Sequence, residues 1–135
     1  MHDLTPNVRS ASTIAFVIHT AAFGRSLEFY CDVLGLELVE EWREGGHGAV
    51  IRLSPGADLE LIEFDVVDDS YGSVALGLEV DDVDAWYGRV VEAGAPAKAA
   101  PIAAFGKRGF GSTDPNGVAI NIYTTNRGGL ASNDV

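Results

Sequence analysis

FGRSLEFYCDVLGLELVEEW, residues 23–42, contains the pattern of a helix that ends at a glycine and is followed at once by a strand. Four apolar side chains recur at the spacing i, i+3, i+4 and i+7, which gives a helix one apolar stripe: Leu27, Tyr30, Cys31 and Leu34. Gly35 suits the helix C-terminus, because glycine readily adopts the left-handed conformation in which many helices end. The stretch therefore predicts a helix over residues 23–35 and a strand over residues 36–42.

The elements around this stretch form two similar halves. The first half has further strands at STIAFVIHT, GAVIRLS and ADLELIEF. The second half repeats the order with a strand at SVALGLEV, a helix at DDVDAWYGRVVEAG and candidate strands at APAKAAP, KRGFGST and VAINIYT. Asp81 or Asp82 can cap the second helix, and Gly94 suits its end. Of the strands, APAKAAP is the weakest because proline cannot donate a hydrogen bond to a sheet.

This repeat predicts an α+β fold in which two βαβββ modules form a curved mixed β-sheet cup, with the helices on its outer face. The modules span about residues 12–65 and 73–124 of a single domain at residues 12–125. The polar ends, residues 1–11 and 126–135, are expected to be flexible tails.

Alternation along the strands assigns the side chains to two faces. The helix side should receive an apolar set: Ile14, Phe16, Ile18, Leu59, Leu61, Val74, Leu76, Leu78, Val80, Ile120 and Ile122. The concave side should then collect the polar groups His19, Glu60, Glu79, Asn121 and Tyr123. A concavity with a few polar groups among apolar ones is the usual form of a small-molecule site.

Composition narrows the possible partners and the compartment. The 9 Lys and Arg against 20 Asp and Glu give a formal net charge of −11, which repels phosphate backbones and argues against nucleic acid. The same charge favours a cationic ligand or simply serves solubility. No apolar run is long enough for a membrane helix, and the start shows no signal-peptide pattern. The single cysteine, Cys31, fits a reducing compartment, so a cytoplasmic location is expected.

Three stretches resemble the vicinal oxygen chelate superfamily, the glyoxalase/bleomycin-resistance/dioxygenase group: RSLEFYCDVLGLELVEEW, LGLEVDDVDAWYGRVVEAGA and FGKRGFGSTDPNGVAINIYT. The resemblance covers residues 13–124. It implies metal-dependent lyases and isomerases, dioxygenases, thiol transferases or metal-free antibiotic-sequestering proteins. In the family's enzymes a divalent metal sits in the cup on His, Gln or Glu side chains.

The residues that match the family's four metal-ligand positions are Ala15, Glu60, Ala75 and Asn121. Alanine has no donor atom, and an amide oxygen is a weaker donor than a carboxylate. Since catalytic metal sites usually use three protein ligands, we expect no metal and no other cofactor at the family position.

Six residues are the candidate ligand-binding set: His19, Trp42, Glu60, Phe105, Asn121 and Tyr123. The residues matching Trp42 and Phe105 often line the cavity in relatives, and flat aromatic rings suit a planar ligand. Glu60 is either a ligand contact or a structural carboxylate satisfied by Arg52 or Asn121. Of the other groups, His2 and His47 are expected to be solvated, and Cys31 to be a packing residue. Lys107 and Arg108 either touch the ligand, as in several relatives, or are exposed charges on a hairpin.

The function favoured by these residues is metal-free binding of a small organic molecule, cationic or aromatic, in the manner of antibiotic-sequestering relatives. The resemblance also implies a homodimer that completes the cup. The alternative is a metal-dependent glyoxalase- or dioxygenase-type enzyme with atypical ligands, such as Glu60, His19 and Glu79, or one that uses Glu60 or His19 for acid–base chemistry without a metal. A third hypothesis is a regulatory or scaffolding domain with a vestigial cup.

Overall fold

The computed structural model describes residues 11–65, 74–104 and 106–125. The strands of the first half are β1 (Ile14–Thr20), β2 (Glu37–Trp42), β3 (Gly48–Ser54) and β4 (Ala57–Glu63). Those of the second half are β5 (Ala75–Glu79), β6 (Ala97–Ala104), β7 (Lys107–Thr113) and β8 (Ala119–Thr125). Helix α1 (Phe23–Leu27) continues as a π-helical segment (Glu28–Val33), and α2 is Val83–Glu92.

Each half forms a four-stranded mixed sheet with the same strand arrangement. The order is β1-β4-β3-β2 in the first sheet and β5-β8-β7-β6 in the second. The first strand of each half pairs parallel with the last strand of that half, and the other pairs are antiparallel. The predicted α+β fold of two βαβββ modules is therefore confirmed. The predicted tails fall almost wholly on residues outside the described ranges.

The core lies on the helix side of both sheets, as alternation predicts. Buried residues of β1, β4 and β8 from the predicted set are fully shielded from solvent: Ile18, Leu59, Leu61, Ile120 and Ile122. Two members of that set are not in the core. Ile14 is 67% exposed and Val74 is 41% exposed, so the prediction for them is wrong. They lie at the start of β1 and just before β5, and Ile14 borders a cavity between the halves.

The first helix differs from the prediction in its winding. After Leu27 the hydrogen bonds widen, so that the Leu34 amide donates to the Phe29 carbonyl at 2.9 Å. This π-helical turn places Phe29 and Tyr30 in the core side by side, while Cys31 is only half-buried. Gly35 ends the segment with φ of 75°, as predicted.

The second helix has the predicted ends. The Asp82 carboxylate accepts a hydrogen bond from the Ala85 amide at 3.1 Å, and Gly94 ends the helix with φ of 76°. The strand that the prolines made weakest, β6, exists at the edge of its sheet and extends to Ala104. Its pairing with β7 slips between Lys98 and Ile102, and this irregularity accommodates Pro101.

Hydrogen bonds between described residues join the halves outside the apolar core. The Tyr30 hydroxyl donates to Asp114 Oδ2 at 2.6 Å, and Asn116 Nδ2 donates to Ser26 Oγ at 3.0 Å. Arg89 Nε donates to the Val33 carbonyl at 2.9 Å. These bonds tie the first helical segment to the turn before β8 and to α2, so the two sheets are held in one fold. Among the described residues no helix is long and apolar enough to cross a membrane.

Candidate functional site

Each sheet has an open face, which we define as the side turned away from the helices. On the first open face the cross-strand register aligns Val17 with Glu60 and Val50. The next row contains His19, Ile62, Gly48 and Trp42. Three of the predicted ligand-binding residues, His19, Trp42 and Glu60, therefore share this face.

Side chains of the first open face occupy much of their own space. The Trp42 ring covers Gly48 so closely that a methyl group there would overlap the indole. The His19 ring lies 4.4 Å from the Phe64 ring, centroid to centroid. Arg52 Nε donates to Asp58 Oδ1 at 2.6 Å, so the expectation that Arg52 satisfies Glu60 is wrong. Arg52 reaches Asp58 because the two residues are directly opposite each other in the β3–β4 register.

The second open face is much barer. One row contains Gly77, Asn121, Gly111 and Lys98, and the next contains Glu79, Tyr123, Gly109 and Ile102. A cavity of about 550 Å³ lies against this face, within the usual range for ligand pockets. Asn121 and Tyr123 line it, as the sequence predicts. Lys107, for which ligand contact was one of two alternatives, also lines it, together with Lys98, which the sequence did not place there.

The lysines approach Tyr123 and Asn121 from neighbouring strands. Lys107 Nζ lies 4.5 Å from the centre of the Tyr123 ring, a cation–π contact. Lys98 runs beside Gly111, on the face where Asn121 Oδ1 also lies. Lys107 thus faces the cavity while Arg108, the next residue of β7, faces α2. There Arg108 Nη2 donates to Asp84 Oδ1 at 2.7 Å, which lowers the pKa of the Asp84 carboxyl.

The family's metal-ligand positions lie on the two open faces, two on each. Ala15 and Glu60 belong to the first face, and Ala75 and Asn121 to the second. This set supplies one carboxylate and one amide, and it does not fit a catalytic divalent metal with three protein ligands. Within the described ranges no group of three or more His, Cys, Asp or Glu side chains is arranged to hold a metal ion.

A second cavity, of about 490 Å³, lies between the halves and is mainly apolar. Ile14, Phe16 and Leu53 line it from the first half, and Leu76 and Trp86 from the second. Its presence explains why Ile14, assigned to the core by alternation, is exposed. Glu79 also borders this cavity and accepts a hydrogen bond from Thr125 Oγ1 at 3.0 Å.

His47 is not the solvated residue that its glycine-rich surroundings predict. Its Nε2 lies 2.8 Å from Glu41 Oε2, and its Nδ1 lies 3.3 Å from Glu63 Oε1. Its ring stacks 3.7 Å from that of Phe23. The sequence could not show this bridge, because it depends on β2, β3 and β4 lying side by side. His47 therefore closes the end of the first sheet rather than lining either cavity.

Two further predictions concern Phe105 and Cys31. Phe105 lies outside the described residues, so its predicted role stays a prediction. Cys31 is half-buried in the π-helical segment, and burial raises the pKa of its thiol, with the neighbouring Asp32 carboxylate adding to the effect. A thiol with a raised pKa is a poor nucleophile at neutral pH, which agrees with the predicted packing role.

Solved structures with this fold include one described as an antibiotic binding protein and two described by bleomycin resistance. The antibiotic binding protein TnmS3 from Streptomyces sp. CB03234 has 24% sequence identity and a TM-score of 0.71, covering 88% of this chain and 99% of that one. A glyoxalase/bleomycin resistance protein from the same Streptomyces strain has 26% identity and a TM-score of 0.64, covering 82% and 98%. A bleomycin resistance determinant encoded on transposon Tn5 has 18% identity and a TM-score of 0.64, covering 82% and 95%.

No curated protein sequence matches this chain. The sequence profile of one superfamily does match, over residues 14–122, which span both modules from β1 to β8. The repeated βαβββ halves, their open faces and this match agree, and the chain belongs to the Glyoxalase/Bleomycin resistance protein/Dioxygenase superfamily.

Proposed function

We propose that this protein is a metal-free member of its superfamily that binds and sequesters a small organic molecule on the open faces of its sheets. The observation that carries the proposal is the residue set at the four metal-ligand positions, where Ala15 and Ala75 have no donor atom. Only Glu60 and Asn121 are left as donors, and two donors are fewer than the three protein ligands of a usual catalytic metal site.

The shape of the second open face supports binding of a small molecule. Its cavity of about 550 Å³ is large enough for a drug-sized ligand, and Tyr123 offers a ring for stacking. TnmS3, which has the same fold, is described as an antibiotic binding protein. We extend that role to this chain as part of the proposal, with an aromatic ligand as the expected class.

A homodimer is the second part of the proposal. β1 and β5 each lie at the edge of their sheet with one strand neighbour, and edge strands pair readily with another chain. Val17 on β1 is 43% exposed, and the apolar cavity between the halves opens beside both strands. A second copy docked there would cover these apolar groups and bring additional side chains to each open face. Light scattering should then give twice the chain mass of 14.3 kDa.

The experiment that tests metal-free binding is metal retention. The purified protein is loaded separately with Ni²⁺, Zn²⁺, Mn²⁺ and Fe²⁺, desalted, and assayed for bound metal per chain by elemental analysis. The proposal predicts far less than one metal per chain for each ion. The matched control is Ala15→His with Asn121→Glu, which restores two donors on the open faces and should raise retention.

Stoichiometric retention by the wild-type protein, lost in Glu60→Ala, would contradict the proposal and favour the enzyme alternative. In that case Glu60→Gln should abolish turnover. In a sequestering protein there is no turnover for the same substitution to abolish.

A further inference from the structure

We propose that the second open face binds a planar aromatic molecule carrying a negative charge, such as an aryl carboxylate or phenolate. Its ring would lie over Gly77 and Gly111 beside Tyr123, and its charge would lie near Lys98 and Lys107. The inference rests on the proposed small-molecule function and names the chemical class of the ligand. It also opposes the expectation from net charge alone, since a protein of charge −11 favours a cation overall.

The first argument is the local charge. The residues that line this cavity include Lys98 and Lys107 but no Asp or Glu. Glu79, in the row of Tyr123, borders the other cavity instead and accepts a hydrogen bond from Thr125 Oγ1. Among the described residues, Arg43, Arg52 and Arg108 form ion pairs with carboxylates, whereas neither lysine ammonium lies within 4.0 Å of one. Both lysines are exposed at the edge of the cavity, so an anion bound there would be attracted by their ammonium groups.

The second argument is the supply of neutral hydrogen-bond groups beside the cations. Asn121 lies in the same cross-strand row as Lys98, and its side-chain amide has two N–H donors for a carboxylate oxygen. This is the position at which the family's enzymes carry a metal-binding carboxylate. Here an uncharged donor flanked by a lysine favours an anion where the enzymes favour a cation.

The third argument is the flat floor of the cavity, which we define as Gly77, Gly109 and Gly111 of the second open face. Gly77 and Gly111 lie on either side of Asn121, and Gly109 lies beside Tyr123 in the next row. Their missing side chains expose the backbone around Asn121 and Tyr123, which leaves room for a ring to approach face on. A methyl group added at Gly111 would contact only atoms 3.8 Å away or more, and at Gly77 the nearest atom would be 3.5 Å away. Both positions could hold alanine without strain, so the glycines there are not required by packing.

The test uses three probes that share the naphthalene ring system and differ in charge: the anion naphthoate, the neutral naphthamide and the naphthylmethylammonium cation. Binding to the full-length protein is measured by isothermal titration calorimetry at low and at physiological salt. We expect naphthoate to bind about tenfold more tightly than the amide, with the ammonium probe weakest. Added salt should reduce the preference for naphthoate.

The variants separate charge from shape. Lys98→Gln with Lys107→Gln should weaken naphthoate about tenfold and leave naphthamide almost unchanged. Arg43→Gln removes a cation that is exposed and paired with Glu41 outside this face, so it is the matched control for net charge. Gly111→Ala should weaken naphthoate and naphthamide alike, because it raises the floor without changing the charge.

The outcomes distinguish failure of this ligand class from failure of the proposed binding function. Naphthoate binding that survives both the lysine and the glycine substitutions would overturn the inference and leave small-molecule binding elsewhere intact. Tighter binding of the ammonium probe would also overturn it. Failure of all three probes to bind would overturn the inference alone, because the proposed function is tested separately by metal retention.

Discussion

The two open faces are built on the same strand order and nearly the same register, yet they present different surfaces. The first carries acidic and bulky side chains, with Asp58 paired to Arg52 and Trp42 folded over Gly48. The second carries glycines and two lysines around Asn121 and Tyr123. On the first face the bulky side chains contact one another, and on the second the glycines leave a cavity of about 550 Å³.

This difference shows that one strand order can carry two open faces of different character. Side chains on an open face contribute little to the core, which lies on the other side of each sheet. They can therefore change more freely than Ile18, Leu59, Ile120 or Ile122, which are fully buried. We expect both faces to belong to one cooperatively unfolding unit and to differ in the side chains that they present.

The largest effect is expected from removing the contact that joins the halves. Asp114 accepts hydrogen bonds from the Tyr30 hydroxyl, the Asn116 amides and the Val118 amide, and it is buried. Asp114→Ala leaves these donors without their acceptor and should cost about 3 kcal/mol or more of unfolding free energy, measured in urea. Tyr30→Phe removes one donor and should cost about 1–3 kcal/mol.

The tryptophans show whether the halves unfold together, because Trp42 lies in the first half and Trp86 in the second. Fluorescence of Trp42→Phe and Trp86→Phe should each report a single transition, with Asp114→Ala shifting both curves equally. Two separated transitions in the parent protein would break the comparison, since each face would then belong to its own folding unit.

A smaller effect is expected from the glycines of the second open face. A methyl group at Gly109 would lie 2.7 Å from the Ile122 carbonyl oxygen, so Gly109→Ala should cost about 1–3 kcal/mol of stability. Gly111→Ala should stay within about 0.5 kcal/mol of the wild type, because its contacts are ordinary. Urea unfolding distinguishes them. Equal loss in both variants would mean that the floor is bare for packing reasons rather than for a ligand.

The smallest effect concerns the two adjacent cations on β7. Arg108 is paired with Asp84, whereas Lys107 lies over Tyr123. The hydrogen bond from Arg108 lowers the pKa of Asp84, so the pair stabilises the fold fully above the ordinary carboxyl pKa of 3.8. That stabilisation disappears as the pH falls through the lowered pKa. At neutral pH, Arg108→Gln should therefore reduce stability slightly, and Lys107→Gln, which removes only an exposed cation–π contact, should reduce it less.

The stability of the wild type and of both variants is measured by thermal unfolding, from neutral pH down to below the ordinary carboxyl pKa. The difference between wild type and Arg108→Gln should shrink below about pH 4. A loss of stability in Lys107→Gln as large as in Arg108→Gln would assign Lys107 a structural role and remove it from the proposed ligand set.

The sequence predicted the two βαβββ halves and most of the buried face, because period-two alternation and glycine stops are local signals. It missed the exposure of Ile14, since the cavity beside it depends on how the halves pack. It missed the π-helical turn at Phe29 and Tyr30, because a helical stripe does not distinguish i→i+4 from i→i+5 hydrogen bonds. It also missed the bridge made by His47, which depends on long-range strand pairing.

The candidate site was predicted in part, for the same physical reason. Asn121 and Tyr123 could be placed because β8 has a clear alternating pattern. Lys98 lies on β6, which the prolines made the weakest strand, and its pairing with Gly111 is fixed across an irregular register. Charge on the second open face therefore could not be read from local sequence.

The most direct test of ligand binding on the second open face maps where a probe binds. Backbone amide NMR shifts are recorded as naphthoate is titrated into the isotope-labelled protein. We expect the largest amide shifts at Gly77, Gly111, Asn121 and Tyr123, and little change in the amide shifts of Val50 or Glu60. Shifts concentrated on Val17, Val50 and Glu60 of the first open face, with the second unchanged, would contradict it.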